Sequence, residues 1–275
     1  MRLHITLVLL LVLPVTRAAA GGGAGESDST AIGIMESDGL TFLRGAGYVL
    51  SSPVRWRSDD WLKFGAAGAG TALASGLDID ARLIMQRNRS PHNEDLAKAV
   101  EQYGVGLNMI LVSAGGYVAG LAFDSRWVRQ TSLLAGSAIL IAATVSTISK
   151  VVIGRARPYT LRGHMTFKPF SFPVEDYASF PSGHTIVAFA FSGVLAARLD
   201  NAWASAGLYA LAAATGLSRM YTDEHWFSDV VFGAVISLSV SRSLVRWFES
   251  GDGAGGAAGF RIVPGGNSVT LVYSF

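Results

Sequence analysis

Long uncharged stretches separated by short polar breaks run through the middle of the chain, and their lengths predict membrane-spanning helices. Residues 104–123 and 131–149 contain no charged side chain over twenty and nineteen positions. A helix that crosses a bilayer needs about 20 apolar residues, because each residue adds about 1.5 Å across a hydrocarbon core of about 30 Å. Three shorter, largely apolar stretches follow at 185–199, 203–217 and 230–240. The pattern predicts an all-α fold, a bundle of five to six mostly transmembrane helices.

The N-terminal residues 1–20 have the pattern of a secretory signal peptide. Arg2 supplies a positive start, residues 5–13 form an apolar core, and residues 18–20 are alanines that suit a cleavage site. Because this core is short for a span, we expect a cleaved signal, with an uncleaved anchor as the alternative.

Other segments flank the apolar bundle, which we place at residues 101–248. Residues 21–60 open with Gly, Ser and Asp and are predicted to form a linker. Residues 61–100 are expected to hold a weak apolar helix and a polar loop. The Gly-rich tail 249–275 contains two β-prone runs around residues 264–267, which is typical of a hairpin.

Composition narrows the classes of function. Half of the 275 residues are hydrophobic, and 15% are charged, against about 25% in soluble domains. The net charge of +2 gives no reason to expect a nucleic-acid partner. The chain has no cysteine, which excludes disulfides and thiol catalysis. No carboxylate cluster suggests a metal site, and no obligate protein partner is evident.

The first candidate motif is Lys150 followed by Arg157 and Pro158. Gly154 and Pro158 prevent the helix from continuing, so Lys150 is expected on a last turn and Arg157 on an extended exit. Arg can hold phosphate oxygens in a bidentate manner, and Lys acts as a point charge. A positive cluster that only sets membrane topology is the alternative.

The second motif is Pro181, Ser182, Gly183 and His184. Pro181 suits the first position of a helix, whose free N–H groups would then point at an anion. His184 could protonate a leaving oxygen. A plain helix start is the alternative.

The third motif is Ser218-Arg219, followed by His225 and Asp229. His225 and Asp229 are four apart and would share a helix face if a helix begins near Asp223. A carboxylate bonded to one ring nitrogen would fix the tautomer and leave the other nitrogen nucleophilic. Arg219 adds a third cation, and an ordinary surface His/Asp pair is the alternative.

The joint spacing, Lys-x6-Arg-Pro, Pro-Ser-Gly-His and Ser-Arg-x5-His-x3-Asp, resembles the three-part signature of the type 2 phosphatidic acid phosphatase (PAP2) and vanadium haloperoxidase superfamily. The resemblance covers roughly residues 100–245. It implies a histidine nucleophile that forms a phosphohistidine (His225), a carboxylate that orients it (Asp229) and a general acid (His184). It also implies a set that binds the phosphoryl oxygens, without a metal or other cofactor: Lys150, Arg157, Ser182, Gly183 and Arg219.

The resemblance and the apolar helices together favour a membrane phosphatase that acts on a lipid phosphate, such as phosphatidate or a polyprenyl diphosphate. A vanadate-dependent haloperoxidase and a non-catalytic lipid-phosphate binder or transporter are the alternatives. The aromatic-rich segment 154–180 is either an ordered loop packed by its own side chains or an interfacial rim for a lipid chain.

We expect a bacterial-type inner membrane location. The site faces outward if helix 61–77 does not span and inward if it does, and a periplasmic, membrane-associated protein is a further alternative.

Overall fold

The structure is a computed structural model that describes residues 31–251, 259–265 and 268–274. The predicted signal peptide at 1–20 and the first part of the predicted linker lie outside the described residues. The described chain forms ten α-helices and one hairpin. The helices are α1 (Ala31–Leu50), α2 (Ser52–Arg55), α3 (Ser58–Ser75), α4 (Asp78–Arg87), α5 (Pro91–Glu101), α6 (Gly106–Ala122), α7 (Arg126–Ile153), α8 (Gly183–Leu199), α9 (Ala202–Tyr221) and α10 (Phe227–Glu249).

Helix α8 is the centre of the bundle and packs against α7, α9 and α10. After the first turn it is apolar on every face except for Ser192 as far as Ala197, which is typical of a helix enclosed by others. Helix α6 packs on the outer side of α7. The core is built from side chains of α7, α8 and α10 that are almost fully buried, among them Leu134, Ile139, Ile186, Val194 and Leu244. The predicted all-α fold is confirmed.

In the described part of the chain two helices, α7 and α10, are long and apolar enough to cross a membrane. The segments Pro91–Gly104 and Gly106–Ala122 pass the same test as a pair bent by 51°, so two or three spans are supported by length and composition. Helix α8 is apolar but shorter. Large apolar side chains are exposed on the outer helices, such as Leu43 on α1 and Leu73 on α3. Such a surface suits lipid better than water, and it supports an integral membrane protein.

Residues 31–55, which the sequence analysis assigned to a linker, are helical instead. The reason is tertiary. Asp38 on α1 is buried, its Oδ2 lies 3.0 Å from Nε of Arg129 on α7, and it accepts a 2.9 Å hydrogen bond from the Tyr117 hydroxyl on α6. These contacts anchor α1 on the bundle across about 80 residues of sequence, a separation that local composition does not reveal.

The predicted weak helix near residues 61–77 corresponds to α3. The polar loop expected within residues 61–100 is short, because α4 continues to Arg87 and α5 begins at Pro91. Ser90 caps α5, and its side chain accepts a 3.2 Å hydrogen bond from the backbone N–H of Asn93.

The segment between α7 and α8 has no α-helix, as expected, and holds two short 3-10 turns, Pro158–Thr160 and Glu175–Tyr177. Gly154 ends α7 in the left-handed conformation, with φ +58°. A Cβ at this position would lie 1.9 Å from the carbonyl oxygen of Lys168, so only glycine fits. Phe170 in this segment is 75% exposed, so its ring is not packed inside the loop.

Strands β1 (Gly259–Gly265) and β2 (Ser268–Ser274) pair antiparallel, with Gly259 opposite Ser274. The predicted C-terminal hairpin is thereby confirmed.

Candidate active site

The end of α7 supplies the first cation of the site. Lys150 lies on the last turn, and its Nζ donates a hydrogen bond to the backbone carbonyl of Ala178. The N–H of Gly154 closes the turn by bonding the carbonyl of Lys150 over 3.0 Å. Helix α7 and the segment that leads into α8 are therefore tied together at this lysine, as the break at Gly154 predicts.

The N-terminus of α8 lies beside Lys150. Helix α8 begins at Gly183, two residues later than the sequence predicts, so Ser182 is its N-cap and Pro181 precedes the helix. The backbone N–H of Ser182 donates to the carbonyl oxygen of Asp229 over 3.2 Å, which joins α8 to α10. The space where Gly183 would carry a Cβ is open, so a ligand can approach the N–H groups of the first turn.

His184 is held in place by a glycine on the neighbouring segment. A Cβ on Gly104 would lie 2.7 Å from the Cβ of His184 and 2.8 Å from its carbonyl oxygen. Only glycine allows this close approach. The ring of His184 lies within electrostatic range of Arg219, Arg157 and Lys150. The structure therefore brings one imidazole and all three predicted cations to the same end of the bundle.

His225 lies in the loop between α9 and α10, and its tautomer is set by a backbone carbonyl. Its Nδ1 lies 2.7 Å from the carbonyl oxygen of Ser179. A carbonyl oxygen only accepts hydrogen bonds, so Nδ1 carries the proton and Nε2 has a free lone pair. Burial lowers the pKa of His225 to about 3. The imidazole is therefore neutral over the physiological pH range.

Asp229 does not bond His225 directly, in contrast to the arrangement expected from the sequence. Its Oδ2 lies 3.8 Å from Nδ1 of His225, which is too long for a hydrogen bond. Helix α10 begins at Phe227 rather than near Asp223, so His225 precedes the helix. Oδ2 instead accepts a 2.5 Å bond from the Ser179 hydroxyl and a 2.9 Å bond from the N–H of Trp226. Ser179 thus contacts both the carboxylate and the imidazole.

Sequence reasoning missed a buried ion cluster behind Asp229. Arg155 donates to Oδ1 of Asp229 over 2.5 Å and to Oδ2 of Asp78 over 2.6 Å. Asp78 also accepts bonds from the N–H and the hydroxyl of Ser228, both 2.9 Å. All of these side chains are buried. In the sequence, Arg155 is only an arginine two residues before Arg157, and Asp78 is only an aspartate at the end of an apolar stretch. Neither has a spacing that would predict the ion cluster.

Acidic side chains accompany the other two cations. Arg157 bonds Glu224 and lies 3.5 Å from Glu175, and Arg219 bonds Glu101 and lies 3.9 Å from Glu224. The Nε–H groups of both arginines are buried and have no hydrogen-bond partner in the described part of the chain. Each guanidinium therefore keeps a donor that an anionic ligand could satisfy. The sequence analysis did not single out Glu101 or Glu224.

A cavity of about 300 Å³ opens next to this cluster. Lys150, Gly183 and His184 line one part of it, and small or apolar residues of α6, α7 and α8 line the rest. Among the described residues no group of His, Asp and Glu side chains could hold a metal ion. The arrangement offers a neutral imidazole with a free nitrogen, a second imidazole, three cations and a helix N-terminus, which together suit a phosphoryl group.

The sequence of this region also matches a known protein family. Residues 131–251 match the model of the PAP2 superfamily. These residues form a PAP2 superfamily domain. The predicted resemblance is confirmed, and all eight residues predicted for the site lie within the PAP2 domain. Asp78 and Glu101, which contact Arg155 and Arg219, lie outside it.

The chain also resembles an individual curated protein. A lipid A 1-phosphatase from Porphyromonas gingivalis is 39% identical over 64 residues, which cover 22% of this chain and 14% of the relative. The chain thus aligns with only a small part of that curated relative.

Solved structures resemble the chain as well. LpxE of Aquifex aeolicus has 21% identity and a TM-score of 0.47, and the match covers 62% of this chain and 95% of that one. A transmembrane PAP2-type phosphatidylglycerolphosphate phosphatase from Bacillus subtilis has 18% identity and a TM-score of 0.44, covering 78% and 96%.

Proposed function

We propose that the protein hydrolyses a phosphate ester or diphosphate on a membrane lipid through a phosphohistidine at His225. The observation that carries the proposal is the bond between Nδ1 of His225 and the carbonyl of Ser179. It fixes the proton on Nδ1 and leaves Nε2 as an uncharged nucleophile, beside the end of the bundle where three cations converge. Mere binding of a phosphate would need only the cations.

The first step transfers the phosphoryl group to the enzyme. The lone pair on Nε2 of His225 forms a bond to phosphorus while the bond between phosphorus and the lipid oxygen breaks. Burial and the nearby cations lower the pKa of His184 to about 4 in the free enzyme, and the negative charge of a bound phosphate raises it again, so that His184 takes up a proton when the substrate binds. His184 gives this proton to the departing oxygen, so the lipid leaves as an alcohol or, from a diphosphate, as a monophosphate. Lys150, Arg157, Arg219 and the N–H groups at the start of α8 stabilise the charge that builds on the other phosphoryl oxygens.

The second step frees the enzyme. Water attacks the phosphorus, the bond between phosphorus and nitrogen breaks, and the electron pair returns to Nε2 of His225. His184 takes a proton from the water. Inorganic phosphate leaves, and both imidazoles regain their starting protonation. Asp229 acts through Ser179 in both steps, because its carboxylate holds the Ser179 hydroxyl and that residue's carbonyl orients the nucleophile.

The substrate is a lipid because the site lies at one end of an apolar bundle. Cations at the ends of apolar helices are costly unless they serve a function, and a lipid phosphate lies at that depth. The Porphyromonas gingivalis relative, a lipid A 1-phosphatase, supports this class of substrate. We place the protein in a bacterial-type inner membrane with the site facing outward. Retention in the pellet after carbonate extraction would support the membrane location, and release would contradict it.

The test is phosphate release by the purified full-length protein from phosphatidate, phosphatidylglycerol phosphate, lipid A and polyprenyl diphosphate. His225→Ala should abolish release, because no nitrogen remains to attack. The matched control is His92→Ala, which removes an exposed histidine on α5 and should leave activity unchanged. Acid-labile labelling by a radioactive phosphate substrate should also disappear in His225→Ala. Phosphate release by His225→Ala at the wild-type rate would overturn the mechanism.

A further inference from the structure

The cavity beside the site lies on the leaving-group side of the proposed reaction. It is lined by His184, which protonates the departing oxygen in the proposed mechanism, and by Lys150. His225 does not line it. Since the nucleophile and the leaving group stand on opposite sides of the phosphorus, the cavity is the place for the part of the lipid next to the ester oxygen. Its volume of about 300 Å³ is at the small end of ligand pockets.

One side chain in this cavity has an unused hydrogen-bonding group. Ser146 is 4% exposed, and its Oγ has no hydrogen-bond partner among the residues that the structure describes. Other hydroxyls on α7 bond the carbonyl four residues earlier, over 2.7 to 2.9 Å, namely those of Ser137, Thr144, Thr147 and Ser149. A buried hydroxyl without a partner is costly. Ser146 is therefore available to a ligand in the cavity.

Ser146 also lies on the same face of α7 as Lys150. The two residues are four apart, so they are neighbours on the helix surface, with Ser146 about 6 Å farther along the axis from the phosphate end. A ligand whose phosphate meets Lys150 would place atoms two or three bonds beyond the ester oxygen near the Ser146 hydroxyl.

The other residues that line the cavity favour an uncharged leaving group over a charged one. Lys150 is the one lysine or arginine in its lining, and apart from His184 the other residues are small, hydroxyl or aliphatic, among them Gly104, Gly106, Ala143, Thr147, Ile186 and Val187. A diphosphate would put a second phosphate into this space as the leaving group. Lys150 already faces the transferred phosphoryl group, so the second phosphate would be buried without a cation of its own, which is strongly unfavourable. A neutral group that carries an oxygen has no such cost and can bond Ser146.

We propose that the cavity is a leaving-group subsite that selects phosphomonoesters of glycerol or sugar lipids over diphosphates, with Ser146 hydrogen-bonding an oxygen of the glycerol or sugar. This inference rests on the proposed phosphatase function and narrows its substrate to one class. Ser146 is a specificity residue in this reading, and Ala143 and Val187 set the width of the subsite.

The experiment compares phosphatidate, polyprenyl monophosphate and polyprenyl diphosphate with the full-length protein in detergent micelles. Wild type should have a kcat/KM for phosphatidate at least tenfold above that for polyprenyl diphosphate. Ser146→Ala should lower kcat/KM for phosphatidate about fivefold, the effect of one net hydrogen bond. It should leave polyprenyl monophosphate unchanged, because that lipid has no oxygen beyond the ester. Ser149→Ala, whose hydroxyl bonds the backbone of its own helix, is the control.

A second variant tests the space itself. Ala143→Leu should raise KM for phosphatidate at least tenfold but leave inhibition by inorganic vanadate unchanged, since vanadate needs only the phosphoryl position. The proposed subsite would be overturned if Ala143→Leu weakened inhibition by vanadate as much as it raised KM for phosphatidate, or if KM for phosphatidate did not change. So would a wild-type preference for the diphosphate, or an equal effect of Ser146→Ala on both monophosphates. If wild type releases no phosphate from any of the three lipids, the proposed function itself fails.

Discussion

Arg155 donates a hydrogen bond from Nη1 to Oδ1 of Asp229 over 2.5 Å, and the two side chains are 3% and 0% exposed. The same guanidinium bonds Asp78, so one cation joins two carboxylates from helices α4 and α10. A buried ion pair adds little stability compared with apolar packing, but removing one partner leaves an uncompensated charge. The position of the Asp229 carboxylate therefore depends, through Arg155, on Asp78, which lies outside the PAP2 domain.

Asp78→Asn should weaken both the fold and the reaction. The amide preserves the shape but removes the negative charge opposite Arg155, and breaking a buried pair costs about 3–5 kcal/mol in unfolding free energy. We expect a lower Tm and a kcat reduced roughly tenfold, because the Asp229 carboxylate loses its fixed position. KM should change little, since Asp78 does not reach the phosphate cations.

Thermal unfolding and steady-state kinetics measure these effects. Asp80→Asn, two residues farther along α4 and exposed, is the matched control. A kcat in Asp78→Asn equal to that of wild type would show that the ion cluster is structural only.

Ser179→Ala separates the two roles of this residue. The substitution removes the hydroxyl that donates to Asp229 over 2.5 Å but keeps the carbonyl that bonds His225. We expect kcat to fall about tenfold, as for loss of one hydrogen bond to a charged group, while the His225 tautomer is retained. Ser171→Ala in the same loop should have wild-type kinetics. A change of tautomer in Ser179→Ala would contradict the assignment of that role to the backbone.

His225 should not titrate between pH 5 and pH 8. Its pKa is lowered to about 3 by burial, whereas an exposed imidazole titrates near 6.5. NMR of the protein with isotope-labelled histidine, assigned by comparison with His225→Ala, should show a neutral ring protonated on Nδ1 throughout that range. A midpoint near pH 6.5 for this resonance would refute the buried, neutral nucleophile.

The same shift predicts how stability depends on pH. In the unfolded chain His225 takes up a proton below about pH 6.5, and in the folded protein it does so only near its pKa of about 3. The unfolded state therefore binds more protons in this window, and the contribution of His225 to stability is present above pH 6.5 and is lost as the pH falls. The difference between the free energies of unfolding at pH 5 and pH 7 should therefore be smaller for His225→Ala than for wild type.

Glu224→Gln should strengthen the binding of inorganic phosphate or vanadate. Glu224 bonds Arg157 and lies 3.9 Å from Arg219, so it offsets part of the positive charge that a phosphate would meet. We expect the inhibition constant for vanadate to fall about threefold to tenfold, with a steeper dependence on salt. Glu94→Gln on α5, an exposed carboxylate paired with Lys98, is the control. Weaker inhibition in Glu224→Gln would mean that Glu224 positions Arg157 instead.

The sequence by itself determined the all-α fold and the C-terminal hairpin, and its three motifs predicted which residues form the candidate site. Uncharged runs of helix-spanning length are visible locally, and Gly154 and Pro158 mark the end of α7 because their backbone restrictions do not depend on partners. The eight candidate site residues could be recognised from the spacing of the three motifs along the chain. Their convergence at one end of the bundle is what the tertiary structure adds.

Only the tertiary structure decided how the nucleophile is held. The sequence predicted a direct bond between His225 and Asp229, but α10 begins at Phe227, and Asp229 uses its carboxylate to cap that helix and to bond Ser179 and Arg155. Likewise, α1 replaces the expected linker because Asp38 meets Arg129. The pairings of Asp229 with Ser179 and Arg155 and of Asp38 with Arg129 join residues between 50 and 91 positions apart. Burial and hydrogen bonding at that separation depend on how helices pack, which no local pattern specifies.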